Sequence, residues 1–224
     1  MSSGPIGIFG GTFNPIHNGH LRSALELKET LGLEQVRLLP AAQPPLRGTP
    51  ELSPEQRAEL VEQAVASEAG LVCDRRELLR QGPSYTVDTL EELRVELGPA
   101  RSLCLIVGTD ILERIREWHR WQALLDLAHL VVMARPGWRA PTSGAVAGWL
   151  REHSGDVDDL RRESAGRVVM QQLRQLPISA TEIRDMIARG QSPRYLLPDA
   201  VWDTIQRIGA YGAGVKEQEQ HGIC

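Results

Sequence analysis

Short apolar runs alternate with longer amphipathic segments along this chain of 224 residues. The apolar runs predict strands at residues 6–9, 35–39, 71–74, 101–107, 129–134 and 167–171. Segments of helix length lie between most of them, and the clearest run from about 18 to 31, from residue 53 onward and from about 84 to 97. Strands that alternate with helices imply right-handed crossovers, so the pattern predicts an α/β fold with a mostly parallel, doubly wound sheet and helices on both faces.

Local signals mark several helix ends. Gly32 follows the first predicted helix, and Gly98-Pro99 follows the helix that ends near residue 97. The run Ser53-Pro54-Glu55-Gln56 is typical of a helix start, because serine can cap, proline suits the first position and glutamine three residues on completes a capping box. Residues 136–166 have the weakest pattern, which we interpret as a loop and a peripheral helix around Trp149.

The length suits a single folded domain, which we expect at 1–211, and residues 212–224 are predicted to be a disordered tail. The chain has 25 basic and 29 acidic side chains with no long run of either sign, so neither a nucleic acid nor a membrane is expected as a partner. Three scattered cysteines, two of them in predicted strands, and the absence of an export signal in MSSGPIG favour a reducing cytoplasm.

The first motif with chemistry is the run Ile6–Leu21, IGIFGGTFNPIHNGHL. A strand enters the paired glycines Gly10 and Gly11, and His17 and His20 stand at the start of a helix. Glycines allow a ligand to approach the backbone and a helix N-terminus offers unpaired N–H donors, so the run predicts a phosphate cradle with two imidazoles beside it. The simpler interpretation is that the glycines serve close packing and the histidines form a surface pair. The other histidines lack the spacing of zinc ligands, and no Walker Gly-Lys-Ser/Thr follows the glycines.

In doubly wound sheets, ligands bind beyond the carboxyl ends of the strands. The segments that follow the predicted strands each contribute a suitable group: Arg47 after the second strand, Gly108 and Asp110 after residues 101–107, and Arg135 after residues 129–134. Each is ordinary loop chemistry alone. Together they predict a pocket for a phosphorylated ligand that carries a sugar.

The second motif is the run Pro177–Arg184, PISATEIR. Ser179 and Glu182 predict another capped helix start, with Ile183, Met186 and Ile187 on the buried face and Gly190 at the end. Capping does not explain Thr181 and Arg184, which stand in the first turn. Hydroxyls, backbone donors and a guanidinium at a helix N-terminus favour a second phosphate-binding site.

The two motifs lie about 160 residues apart, and together with PSYTVDTL, VGTD and EWHRWQALLDLAHLVVMARPG they resemble bacterial nicotinate-nucleotide adenylyltransferases up to about residue 211. The resemblance implies a Rossmann-like fold and transfer of the adenylyl group of ATP to nicotinate mononucleotide, with Mg²⁺ that arrives with ATP. It implies His17, His20 and Arg184 as catalytic residues. It implies ATP contacts at Gly10, Gly11, Thr12, Phe13, His17, His20, Gly108, Asp110, Ser179, Thr181 and Arg184. Acceptor contacts are implied at Thr12, Arg47, Tyr85, Thr86, Asp110, Trp118, His119 and Arg135.

Two positions depart from the family pattern. Leu46 replaces a histidine that often precedes Arg47, which puts one phosphate contact in question, and Asn14 replaces an aspartate, with both side chains able to accept hydrogen bonds in the turn. Trp118 has two readings, because indoles at this kind of position usually pack in the core but one here could stack on a pyridine ring.

Alternative functions are an adenylyltransferase for nicotinamide mononucleotide or pantetheine phosphate, a cytidylyltransferase that uses glycerol phosphate, and a nucleotide-sensing module without catalysis. His17 counts against the pantetheine family, which usually has threonine there, and intact His17, His20, Thr181 and Arg184 count against a sensor. The sequence leaves a homodimer possible.

Overall fold

The computed structural model describes residues 4–44, 49–134, 137–174 and 176–214. Its strands are β1 (Ile6–Gly11), β2 (Gln35–Pro40), β3 (Leu71–Cys73), β4 (Leu103–Gly108), β5 (His129–Ala134) and β6 (Val168–Gln172). Its α-helices are α1 (Asn18–Leu31), α2 (Pro54–Val65), α3 (Arg76–Leu79), α4 (Thr86–Leu97), α5 (Thr109–Glu113), α6 (Leu124–Leu127), α7 (Gly144–Glu152), α8 (Asp159–Arg162), α9 (Ala180–Ala188) and α10 (Asp199–Ile208). Short 3₁₀ turns occupy Ile115–Glu117, Trp121–Ala123 and Ala210–Gly212.

The six strands form one sheet in the order β3-β2-β1-β4-β5-β6, and every pairing is parallel. This is the strand order of a Rossmann-like doubly wound sheet, in which the chain starts at the centre and winds outward in both directions. The predicted fold class is therefore confirmed.

Each face of the sheet has its own apolar core. Helices α1, α2, α9 and α10 pack over one face with Phe9, and α4, α6 and α7 pack over the other with Ile6 and Ile8. Successive side chains of a strand point to opposite faces, which is why neighbouring residues of β1 belong to different cores. The prediction of helices on both faces is confirmed.

The predicted helix signals operate as expected in two places. Gly32 follows α1 with φ 63°, in the left-handed region that favours glycine, and its N–H donates to the Lys28 carbonyl. Ser53 caps α2, and the Ser53–Gln56 capping box is complete, with both of its hydrogen bonds present. The predicted helix around Trp149 is α7.

Some expectations need correction. At α9, Ser179 accepts from the Glu182 amide, but the reciprocal bond to the Glu182 carboxylate is not among the hydrogen bonds of the described residues. Met186 is half-buried, whereas Ile183 and Ile187 are buried as predicted. The proposed tail starts at 212, yet Gly212 belongs to a 3₁₀ turn and Ala213 packs against the first core. Residues 215–224 lie outside the described residues.

Cys104 is buried and Cys73 is half-buried, and burial raises the pKa of both thiols to about 12. Such thiols carry almost no thiolate at neutral pH and are unreactive. Among the described residues, no helix is both long and apolar enough to cross a membrane.

Candidate active site

A crevice opens at the carboxyl edge of the sheet between β1 and β4. The two strands pair only from Ile6 and Leu103 to Ile8 and Leu105, whereas β1 continues beside β2 to the end of both strands. On the other side, β4 stays paired with β5 through Gly108. The chain winds outward to opposite sides from β1 and β4, so the strand order reverses between these two strands. They also separate before they end, which leaves the edge of the sheet open at the place where ligands bind in sheets of this kind.

The two glycines at the end of β1 serve different purposes. Gly10 is exposed, and a Cβ atom built there would meet nothing within 4 Å, so its backbone faces open space. A Cβ atom at Gly11 would lie 2.8 Å from the ring of Phe13. Gly10 is therefore the glycine whose backbone a ligand can approach, and Gly11 is required for packing.

Phe13 is 2% exposed and has φ 47°, and its ring meets the His20 imidazole edge-on at a centroid distance of 5.1 Å. Its side chain thus supports His20 from inside the protein. A nucleotide could contact Phe13 only through the backbone.

His17 and His20 stack on each other at the start of α1, with ring centroids 3.7 Å apart and an interplanar angle of 25°. A Cβ atom at Gly19 would lie 3.0 Å from His17 Nδ1, so the glycine between the histidines provides the space for the first ring. The two imidazoles therefore lie together at the helix start, beside the glycine turn, as the first motif predicts.

His17 is 5% exposed, and its Nδ1 has no hydrogen-bond partner among the described residues. Burial lowers the pKa of His17 from 6.5 to about 4, so the ring is neutral at pH 7 in the absence of an anion. A neutral imidazole with an unpaired buried nitrogen costs free energy in the free protein, and this is typical of a group that meets its partner in a complex.

The second motif lies directly against the first. Arg184 of α9 donates from Nη1 to the backbone carbonyl of Asn14 at 2.7 Å and from Nη2 to Thr181 Oγ1 at 3.3 Å. The Ile178 carbonyl is 3.5 Å from the place where a Gly19 Cβ would be. The two motifs are therefore in direct contact.

Arg184 takes part in none of the ion pairs found within the described residues, which leaves its charge uncompensated by a carboxylate. Ser179 uses its oxygen as an acceptor for the Glu182 amide, so its hydroxyl proton remains available for a ligand oxygen. Thr181 is exposed beside it. This helix N-terminus therefore presents hydroxyls, amides and a cation to the crevice edge.

Asn14 accepts hydrogen bonds as expected, but its partner was not predicted. Its side-chain Oδ1 accepts from the Tyr211 hydroxyl at 2.6 Å, rather than from an amide of its own turn. Tyr211 is 3% exposed and has φ 59°, and burial raises the pKa of its hydroxyl. No sequence signal linked position 211 to the first motif, because the contact is made across 197 residues.

Gly108 and Asp110 lie at the end of β4, across the crevice from β1. Gly108 caps the short helix α5, and Asp110 is exposed in its first turn. Both residues therefore occupy the predicted side of the sheet. The other two predicted strand-end residues, Arg47 and Arg135, lie outside the described residues.

A group of aromatic side chains lies beyond β4. Tyr85 and His119 are in ring contact, with centroids 4.5 Å apart and an interplanar angle of 31°. Trp118 is half-buried at the edge of the second core, and Tyr85 packs against the same core. Trp121, three residues after Trp118 along the chain, meets the Trp149 ring edge-on at a centroid distance of 5.2 Å. Trp118 is thus the indole of the pair that is left without an aromatic neighbour among the described residues.

Thr86 is the first residue of α4, directly after Tyr85. The first amides of an α-helix have no acceptor within the helix, so the start of α4 offers backbone donors beside the Tyr85 and His119 rings. The structure brings Tyr85, Thr86 and His119 together.

Sequence reasoning missed Arg57, which is 0% exposed and donates to the backbone of the loops after β1 and β2. A weak signal existed, because Arg57 shares one helical face with Leu60 and Val61 and that face is apolar. A charged residue on the buried face of a helix is unusual and points to a specific set of partners.

Comparison with known proteins first gives the class. The Cytidylyltransferase-like family matches residues 8–186, which is most of the chain, so this protein is a nucleotidyltransferase of that family. Individual relatives then identify the particular family within this class. A probable nicotinate-nucleotide adenylyltransferase from Cellvibrio japonicus is 51% identical over 92% of this chain and 98% of its own length. One from Aeromonas salmonicida is 48% identical over 95% and 100%. The chain belongs to the nicotinate-nucleotide adenylyltransferase family.

Solved structures agree on the fold. The nicotinic acid mononucleotide adenylyltransferase of Plasmodium falciparum complexed with NaAD aligns over 95% of this chain and 100% of its own, with a TM-score of 0.70 at 13% identity. The same protein complexed with APC gives a TM-score of 0.68 at 13% identity and the same coverage. The fold is therefore shared although few residues are.

Proposed function

We propose that this chain transfers the adenylyl group of ATP to nicotinate mononucleotide, which gives deamido-NAD and pyrophosphate. The observation that carries the proposal is the contact between the two motifs, where Arg184 donates to the Asn14 carbonyl beside the stacked His17 and His20. Two helix N-termini, two imidazoles and a guanidinium that forms no ion pair with the described residues suit a triphosphate when they surround one crevice. The names of the relatives support the choice of acceptor.

ATP is proposed to lie with its phosphates over the open backbone at Gly10 and its adenosine toward Gly108 and Asp110. Arg184, Ser179 and Thr181 hold the β- and γ-phosphates, because they lie together at the α9 N-terminus. His17 and His20 meet the phosphate chain from the start of α1. Thr12 and the Phe13 backbone close the turn between these groups.

The reaction needs no general base. A phosphate oxygen of the mononucleotide, already anionic, forms a bond to the α-phosphorus of ATP, while the bond from that phosphorus to the bridging oxygen breaks and pyrophosphate leaves. The two bonds change on opposite sides of one phosphorus, so no covalent enzyme intermediate forms. Catalysis then consists of alignment and of neutralising charge on the phosphates. His20, the first-turn amides and Arg184 provide this neutralisation of the phosphate charge.

Mg²⁺ is proposed to enter with ATP as part of the substrate. Within the described part of the chain, no three His, Cys, Asp or Glu side chains are grouped as a metal site requires. A Mg²⁺ ion that keeps its waters and binds chiefly to phosphate oxygens does not need such a group.

The acceptor is proposed to bind beside α4. The nicotinate carboxylate is met by the free amides at the helix start near Thr86, and the pyridine ring lies against Trp118 within the group formed by Tyr85 and His119. An amide would turn an NH₂ donor toward the same N–H donors. Each buried donor left unpaired costs about 1–3 kcal/mol, so the acid is preferred. Arg47 and Arg135 remain proposed acceptor contacts from the sequence.

A panel assay tests the proposal. Pyrophosphate release is measured from ATP and Mg²⁺ with nicotinate mononucleotide, nicotinamide mononucleotide or pantetheine phosphate, and from CTP with glycerol phosphate. Turnover with nicotinate mononucleotide is expected to exceed the rest by at least about tenfold, which is the factor that about 1.4 kcal/mol produces. Equal or greater turnover with another acceptor would refute the assignment. A cytoplasmic location, a homodimer and the domain limits 1–211 stay predictions from the sequence.

A further inference from the structure

Arg57 on α2 is a buried arginine that has no carboxylate partner among the described residues. Its side chain is 0% exposed, and it takes part in none of the ion pairs among the described residues. Burial lowers the pKa of its guanidinium from the ordinary value. A buried charge is costly unless it makes strong hydrogen bonds, so the position of this residue depends on the acceptors around it.

All of those acceptors are backbone carbonyls. Arg57 donates to the carbonyls of Thr12 and Ala41, both at 2.7 Å, and to those of Ala42 and Leu52, both at 3.3 Å. Thr12 follows β1 and belongs to the turn Gly10–Phe13, which is proposed to contact ATP and is called the ATP turn below, whereas Ala41 and Ala42 follow β2. The Ala41 amide also donates to the Gly11 carbonyl at 2.9 Å. One guanidinium thus joins the two loops at the carboxyl edge of the sheet.

The loop after β2 leads on to the acceptor side. Gln43 and Ser84 bind each other twice, since the Ser84 amide donates to the Gln43 carbonyl at 3.0 Å and the Gln43 amide donates to Ser84 Oγ at 3.1 Å. Ser84 directly precedes Tyr85 and Thr86. Hydrogen bonds, joined by short stretches of backbone, therefore connect the ATP turn to the start of α4 through Arg57.

We propose that Arg57 is a positioning residue that fixes the distance and orientation between the ATP turn and the acceptor pocket. The proposal rests on the proposed function, because it assumes that one phosphate must be presented in line to another. A misplacement of about 1 Å between reacting groups can cost about 100-fold in rate. The planar fork of arginine reaches both loops at once, and lysine, with one ammonium group, cannot span them in the same way.

Arg94 offers a matched control. It is also an arginine that donates to backbone carbonyls, at Leu127, Arg101 and Ser164. These carbonyls precede β4 and β5 or belong to the loop before β6, so Arg94 lies at the amino edge of the sheet, away from the crevice. Burial lowers its pKa as well. Substitution of either arginine removes similar hydrogen bonds, but only Arg57 contacts the site loops.

The experiment compares Arg57→Lys with Arg94→Lys in the full chain. Both substitutions are expected to lower the melting temperature. Only Arg57→Lys is expected to lower kcat, by about 100-fold, with both KM values changed by less than about fivefold, because each substrate still binds but the two are misaligned. Arg94→Lys should leave kcat within about threefold. Equal kcat losses in the two variants, or an unchanged kcat in Arg57→Lys, would overturn the proposal.

Two further measurements separate this inference from the reaction itself. Amide hydrogen exchange at Ala41 and Ser84, whose amides are bonded across the loops, should accelerate in Arg57→Lys and not in Arg94→Lys, whether or not the protein turns over nicotinate mononucleotide. Ser84→Ala removes the acceptor of the Gln43 amide and should lower kcat on its own. Added to Arg57→Lys it should have less effect than alone, since both break one connection. Unchanged exchange or fully additive losses would contradict the proposal, and absence of turnover in the wild type would refute only the proposed function.

Discussion

Acidification is expected to destabilise the folded chain through His17. Burial lowers the pKa of this imidazole from 6.5 to about 4, so between these values the unfolded chain binds a proton that the folded chain does not. The stability that His17 contributes in its neutral form is therefore complete above pH 6.5 and is lost as the pH falls toward 4. The difference between the two pKa values corresponds to about 3 kcal/mol of unfolding free energy. Because the side chain is 5% exposed, solvent screening reduces this value little.

Urea unfolding of the full chain between pH 7 and pH 4 measures the effect. His17→Gln is the matched variant, because it keeps a polar side chain but has no titrating group. The wild type should lose about 3 kcal/mol more than the variant as the pH falls through this window. His129, whose pKa is also lowered by burial, is present in both chains, so its contribution cancels. Parallel curves for the two chains would show that the folded protein accommodates the charged imidazole, and the argument from burial would be wrong.

Two other predictions concern turnover. His20→Ala should lower kcat by roughly two to three orders of magnitude, the cost typical of one preorganised transition-state donor. The affinity for nicotinate mononucleotide should change much less. A kcat within about fivefold of the wild type, a difference of about 1 kcal/mol, would mean that the imidazole only packs on Phe13 and His17. Trp118→Ala should lower kcat/KM for the mononucleotide by roughly 5- to 150-fold, as expected for loss of a stacking contact of about 1–3 kcal/mol, while KM for ATP holds. Since Trp118 also borders the second core, a lower melting temperature is expected whether the indole stacks on the pyridine ring or only packs in the core. An equal rise in KM for ATP and for the mononucleotide would show that the indole serves packing alone.

Strands β4 and β5 could be predicted because nearly all of their residues are buried. β5 has buried residues at all six positions, and its predicted and observed limits are the same. α1 and α2 could also be placed, since a glycine or a capping box marks an end of each. β4 begins two residues after the predicted start, because Arg101 and Ser102 are polar loop residues. Such differences at the ends reflect local hydrogen bonding, which side-chain pattern does not encode.

Other elements were not predicted for identifiable reasons. Helices α3, α5, α6 and α8 have four or five residues, which is too short for a hydrophobic period to show. α10 was missed although its signal was present, since Val201, Trp202 and Ile205 lie on one buried helical face. α10 follows Gly190 and carries none of the motif residues.

Some residues of the candidate site could be predicted from the sequence and others could not. Residues within a motif, such as His17 and His20, could be identified because they are adjacent on the chain and share a helix face. Contacts made by the backbone could not, because a carbonyl has no sequence signature. The bond from Arg184 to the Asn14 carbonyl and the four bonds of Arg57 belong to this kind. Arg47 and Arg135 remain predictions, since they lie outside the described residues.

The central claim is a single in-line transfer from ATP to nicotinate mononucleotide, and the stereochemical course at the α-phosphorus tests it most directly. The full chain is supplied with one diastereomer of the α-thio analogue of ATP, with Mg²⁺ and nicotinate mononucleotide, and the configuration of the thiophosphate in the dinucleotide product is determined. A single displacement predicts the dinucleotide product with inverted configuration. Retention would indicate two displacements through a covalent adenylyl-enzyme, and failure to form the dinucleotide would contradict the assigned acceptor.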